Sequence, residues 1–247
     1  MDYDLAMHLI HATVQLEQAK DDGLRIVGTG FLVQSARSDG VTYTVLVTAK
    51  HVLEDMPRAE ARIGYRVEGE NGTWTNRPTP LTIRDAAGLA LWTEHPQEDV
   101  ATMTITAPPE FAKAAIPLRW LATDTTFADL NVDTGDEMMA LGFPRGLSAN
   151  TAGFPILRSG RVASYPISPP KAFPTFLLDF SVFPGNSGGP VFMATNSRRR
   201  PGAPDSQFIA GLLSKEVELN GERLGIGVVT HAMFIGETIS LMQEPPF

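Results

Sequence analysis

The chain has 247 residues, 43% of them apolar and 19% charged, and a net charge of −8. That is enough for one large or two small globular domains with a buried core, and the acidic balance speaks against a general nucleic-acid binder. There is no cysteine, which excludes thiol catalysis and disulfides, while 22 Gly and 19 Pro suit short strands and turns rather than long helices.

The chain opens on Met1-Asp2-Tyr3-Asp4, acidic where a signal peptide would be basic. The apolar stretch that follows is broken by His8, His11, Gln15 and Glu17, so neither an export signal nor a membrane span is read here. The expectation is a cytoplasmic protein with no membrane partner. Leu5, Leu9, Ala12 and Leu16 at three-to-four spacing predict a short amphipathic helix that passes into a strand. His8 and His11 share that segment without a third ligand nearby, and no metal is expected.

Asp21-Asp22-Gly23 is a turn, and residues 26–33 read as a strand with a glycine bend. Residues 42–48 form the clearest β run of the first half and end directly in Ala49-Lys50-His51. Weaker strands are expected near 61–67, 80–84 and 89–93. Asp99 then heads another run through Ile105. Pro108-Pro109 to Pro117 reads as a connector, dividing the chain into 1–108 and 109–247. Further short strands are expected at 118–121, 136–142, 154–164, 175–182, 190–194, 207–214 and 224–230, with a closing helix over 231–243. Ser197-Arg198-Arg199-Arg200-Pro201-Gly202 reads as a solvated loop rather than a nucleic-acid site. Strands this short and frequent, without alternating helices, imply an all-β fold of two barrels.

Residues 184–192, Pro-Gly-Asn-Ser-Gly-Gly-Pro-Val-Phe, set Ser187 in a tight glycine turn. Such a turn can raise a hydroxyl from its backbone and gather outward-pointing N–H groups around an anion. A hydroxyl needs a base, and the base needs an orienting carboxylate. His51 and Asp99, each at the end of an apolar strand, are the candidates.

Thr48-Ala49-Lys50-His51, Asp99-Val100-Ala101 and Gly185-Asn186-Ser187-Gly188-Gly189-Pro190 together resemble the three motifs of trypsin-like, chymotrypsin-fold serine peptidases. Gly28-Thr29-Gly30-Phe31, Gly142-Phe143-Pro144, Gly160-Arg161-Val162 and Gly211-Leu212-Leu213-Ser214 add smaller matches in the same order. Asp179 and Asn186 make the chain similar to the bacterial HtrA/Deg branch, although no PDZ domain follows in this sequence.

The resemblance implies an all-β fold of two six-stranded antiparallel β-barrels with short terminal helices. It also implies a serine endopeptidase that works through an acyl-enzyme. Ser187 would be the nucleophile, His51 the general base and then acid, and Asp99 its orienter. The N–H groups of Gly185 and Ser187 would form the oxyanion hole. Ser181 would lie at the base of the specificity pocket and Gly227 on its wall. Ser214 would support the aspartate, and Ser214, Lys215 and Glu216 would pair with substrate backbone. With Asn186 in place of an aspartate, no activation by a processed N-terminus is implied.

An uncharged Ser181 favours an apolar residue before the scissile bond. The partner is a polypeptide substrate, no cofactor is implied, and the oligomeric state is left open. Two other readings stand beside this one. One is a latent or inactive protease-fold binding module. The other is a nucleophile elbow using Ser187, Asp205 and His231, which needs a helix where Gly188-Gly189-Pro190 stands. His95 and His231 read as structural or surface residues.

Overall fold

The computed structural model describes residues 4–195 and 206–244, so the arginine-rich segment at 197–202 and Asp205 lie outside the described residues. The chain starts with α1 (Leu5–Ala12), whose N-cap Asp4 accepts a hydrogen bond from the Met7 N–H, and passes directly into β1 (Thr13–Ala19). Then come β2 (Arg25–Ala36), β3 (Thr42–Thr48), α2 (Lys50–Glu54), β4 (Glu60–Glu68), β5 (Trp74–Thr82), β6 (Thr93–Glu94) and β7 (Ala101–Ile105). After α3 (Pro109–Ala114), β8 (Ile116–Pro117) and α4 (Thr126–Asp129), the second strand series begins. It comprises β9 (Glu137–Gly142), β10 (Ile156–Val162), β11 (Thr175–Asp179), β12 (Pro190–Thr195), β13 (Ser206–Leu219) and β14 (Glu222–His231), and α5 (Met233–Leu241) follows.

The second series closes into a six-stranded barrel in the order β10-β11-β14-β13-β12-β9. The first series forms an eight-stranded sheet along β5-β4-β1-β2-β3-β7-β6, with β8 added in parallel to β2. The fold is therefore all-β and chymotrypsin-like, with short helices at both ends. The first sheet differs from a six-stranded barrel at its edges. β5 carries Pro78 and Pro80, whose missing N–H groups suit an edge, and β6 is only two residues long.

Locally, the strand expected at 118–121 is replaced by a turn of 3-10 helix at Leu118–Trp120, and Leu121 makes an isolated parallel bridge to Ile209. The segment at 89–93 contributes little beyond β6 and an isolated bridge from Arg84 to Ala90. Residues from both strand series and from the terminal helices pack into one continuous core, from Leu5, Leu9 and Leu16 through Phe31 and Leu46 to Phe176, Phe192 and Ile235. None of the described helices is long and apolar enough to cross a membrane.

Candidate active site

β3 ends at Thr48, and the chain turns at once into α2, which carries His51 in its first turn. The helix has Ala49 at its N-cap, a residue with no side-chain acceptor for the free N–H groups there. Asp99 supplies one from the neighbouring loop. Its Oδ1 accepts the His51 N–H at 3.1 Å, and its Oδ2 lies 2.8 Å from His51 Nδ1. One carboxylate thus caps the helix and holds the ring, which places the His51 proton on Nδ1 and leaves Nε2 as the free base.

Burial is the largest influence on the His51 pKa and lowers it. The Asp99 hydrogen bond and the charges of Asp99, Asp55 and Glu54 together outweigh burial, so the value is raised above 6.5. For Asp99, burial raises the pKa, but hydrogen bonds and charge from His51 and the Lys50 backbone bring it below 3.8.

Ser187 sits between two glycines in left-handed conformations, Gly185 at φ +97° and Gly188 at φ +86°. Neither tolerates a side chain. A Cβ on Gly185 would lie 2.3 Å from the Phe143 carbonyl oxygen, and one on Gly188 2.1 Å from that of Thr29. The two peptides whose N–H groups belong to Gly185 and Ser187 are each anchored through the opposite carbonyl. Arg145 N donates to Pro184 O at 2.6 Å, and Gly189 N to Asn186 O at 3.0 Å. Among the described residues, the N–H groups of Gly185 and Ser187 themselves have no acceptor. They are two unpaired donors beside the serine, the arrangement an oxyanion requires.

Thr29, fully buried on β2, clamps this loop from the other sheet. Its hydroxyl donates to Gly185 O at 2.6 Å and accepts from Phe143 N at 3.1 Å, while its N–H donates to Ser187 O at 2.9 Å. The Gly28-Thr29-Gly30-Phe31 motif flags the position in the sequence, but its function as a clamp depends on contacts across the two sheets.

His51 and Ser187 line one cleft, of about 530 Å³, together with Arg25, Val27, Val52 and Gly185. Ser187 also faces a second cleft of about 590 Å³, walled by Val182, Phe183, Pro184, Glu216, Arg223 and Val228. The Ser187 hydroxyl donates to the Ser214 carbonyl at 2.8 Å, and no hydrogen bond joins it to His51. Ser214 is buried, and its own hydroxyl pairs with Thr230 Oγ1 at 2.7 Å rather than with Asp99. Lys215 and Glu216 continue β13 in register with Val228 and Gly227 of β14. On the other side, β12 pairing stops at Leu212, leaving this stretch an open edge.

Glu216 and Arg223, 3.5 Å apart, both line the second cleft. A Cβ on Gly225 would stand 3.4 Å from Ser181 Oγ, so Gly225 is the glycine set against Ser181. A Cβ on Gly227 would instead meet Val182 and Leu213. Gly225 has a φ of +69°, a conformational cue the sequence alone does not display. His231 lies between Phe127 and Phe176, with ring centroids 4.7 and 4.9 Å away, and belongs to the barrel core rather than to this site. No cluster among the described residues has the ligand set for a metal.

No curated protein matches the chain in sequence. Among solved structures it is similar to the protease Anisep from Arthrobacter nicotinovorans, with a TM-score of 0.52 and 16% identity over 92% of this chain and 93% of that one. That likeness shows the fold. Residues 28–197, from the Thr29 motif through the serine turn, match the trypsin-like peptidase domain, and the chain belongs to that family.

Proposed function

We propose that the protein is a serine endopeptidase with Ser187 as nucleophile, His51 as general base and then acid, and Asp99 as the orienter of His51. The observation that carries this reading is the Asp99 carboxylate bound to both the N–H and Nδ1 of His51, beside a serine flanked by two unpaired N–H groups. His51 Nε2 takes the Ser187 proton as Oγ attacks the scissile carbonyl carbon. The developing oxyanion is held by Gly185 and Ser187 N–H, each donor contributing roughly 3–4 kcal/mol. His51 then returns its proton to the leaving amine, and water repeats the sequence on the acyl-enzyme.

The open edge at Ser214, Lys215 and Glu216 suits a substrate strand added by backbone hydrogen bonds. The apolar walls of Val182, Phe183 and Val228, with uncharged Ser181 and Gly225 adjoining, favour an apolar residue before the scissile bond. Glu216 and Arg223 offset each other at the rim. Hydrolysis of a peptide library by wild type, S187A and H51A tests the assignment. The two losses should be similar in size and non-additive, as for residues that act as a unit. Peptide cleavage unaffected by S187A would refute it.

One observation favours the second reading, a latent form. The Ser187 hydroxyl is directed at the Ser214 carbonyl and must turn to His51 before attack. A latent enzyme would gain turnover with a partner or an occupying peptide, whereas a free side-chain rotation gives full activity in the isolated chain.

A further inference from the structure

The loop that delivers Asp99 runs from His95 to Val100 and is built around an imidazole. It is closed at its base by the His95 N–H bond to Val100 O at 2.9 Å, where β6 and β7 pair. Inside it, His95 Nδ1 lies 2.9 Å from the Glu98 N–H and 3.2 Å from the Gln97 N–H. Both partners can only donate, so Nδ1 accepts and the ring proton sits on Nε2. That proton points at Glu237 Oε2 on α5, 3.3 Å away, and the ring packs edge-on against Phe234 of the same helix. His95 is 4% exposed, although the residues on either side of it are open to solvent.

The outer side of this loop gives it little support. His95, Pro96 and Gln97 border a cavity of about 1070 Å³, with Asp124, Lys171, Glu237 and Glu244 also on its wall. The shape of the loop therefore rests on its own hydrogen bonds, and the imidazole accepts two of them immediately before Asp99.

We propose that His95 is a positioning residue for Asp99: in its Nε2–H tautomer it holds the 95–100 loop in the shape that brings the carboxylate to His51. This inference rests on the reading of His51, Asp99 and Ser187 as the catalytic groups. Without the Nδ1 acceptor, the Gln97 and Glu98 N–H groups lose the partner that draws them inward, and the loop relaxes toward the cavity. Asp99 then moves off His51, and a displacement near 1 Å at such a group costs on the order of 100-fold in rate.

The test compares wild type, H95F and H95N as full chains. Phe keeps the contact with Phe234 but accepts nothing, whereas Asn Oδ1 can accept from the same two N–H groups. His51 titration is read by NMR, and kcat and KM are measured on a peptide substrate. In wild type, Asp99, Asp55 and Glu54 hold the His51 pKa above 6.5 against burial. In H95F the titration should move down and kcat should fall roughly 10- to 100-fold with KM little changed. In H95N both should return toward wild type.

An H95F variant with wild-type titration and kcat overturns the proposal, as does a folded H95N whose His51 titration is lowered as in H95F. If H95F does not fold, H95N is compared with wild type, and a folded H95N whose His51 titration is lowered overturns the proposal. The titration needs no turnover. A wild-type chain without peptidase activity therefore overturns the functional reading, while the NMR result still judges the role of His95.

Discussion

Asp99 does two jobs with one carboxylate, capping α2 and orienting His51, and these separate on substitution. Asn at this position can still cap the helix but removes the charge that raises His51. D99N should fold, lose about 10⁴-fold in kcat, and show the acid limb of its pH–rate profile shifted down from the wild-type position. The wild-type limb should lie above 6.5, because His51 is a base only when unprotonated and its pKa is raised. A D99N limb at the wild-type position would show that Asp99 does not set the His51 titration.

His231 gives the opposite sign. Burial lowers its pKa from 6.5 to about 4, and a hydrogen bond with the Ile167 backbone offsets this in part. Between those values the unfolded chain takes up a proton that the folded chain refuses. The resulting stability is present above pH 6.5 and lost as pH falls toward 4, by roughly 3 kcal/mol. H231F, which keeps the stack between Phe127 and Phe176, should remove that loss, so urea unfolding at pH 7 and pH 4.5 should differ less than in wild type. The candidate catalytic residues are legible in sequence because each stands in a short distinctive motif. His95 is not, since its role consists of bonds to backbone groups two and three residues ahead.

Among the elements, the serine turn depends most on distant support. Thr29 is separated from it by most of the chain, yet its hydroxyl and N–H fix the carbonyls of Gly185 and Ser187. T29V keeps the volume and removes the hydroxyl. It should lower kcat about 10²-fold with a much smaller change in KM, because the oxyanion donors act only as charge develops. A T29V variant that changes KM alone would place Thr29 in substrate binding instead.

Strand identity was well marked by β-branched runs, and strand ends less so. Strands are expected to end at 214 and resume at 224, but β13 and β14 continue to a two-residue turn. There Asn220 and Gly221 both take positive φ, +53° and +81°. Asn-Gly is the strongest short-range signal for such a hairpin. The strand expected at 118–121 fails for the opposite reason: a short apolar run after Pro117 carries no period to separate strand from turn.

On the scale of the whole molecule, Arg66 of β4 ties the N-terminal segment to the loop before β10. It is 1% exposed, and its guanidinium donates to the carbonyls of His11 at 2.7 Å, Thr13 at 2.9 Å and Gly153 at 3.1 Å. The rings of Phe111 and Phe154 lie about 5 Å from its centre. Burial lowers its pKa to about 10, which leaves it charged at neutral pH. R66M fills similar space but strands those carbonyls, and should cost roughly 3 kcal/mol or more by urea unfolding. A variant as stable as wild type would show that the carbonyls find other partners.

That the chain is all-β, with two series of short strands, is legible in turn spacing and composition. The unequal sizes of the sheets are not, because edge pairing depends on which strand ends meet in space. The central claim, that Ser187 is an activated nucleophile, is met most directly by a fluorophosphonate probe read by intact mass and peptide mapping. One adduct per chain on Ser187, absent in S187A and strongly slowed in H51A, is the predicted result. Failure of wild type to label, or labelling that persists in S187A, would contradict it.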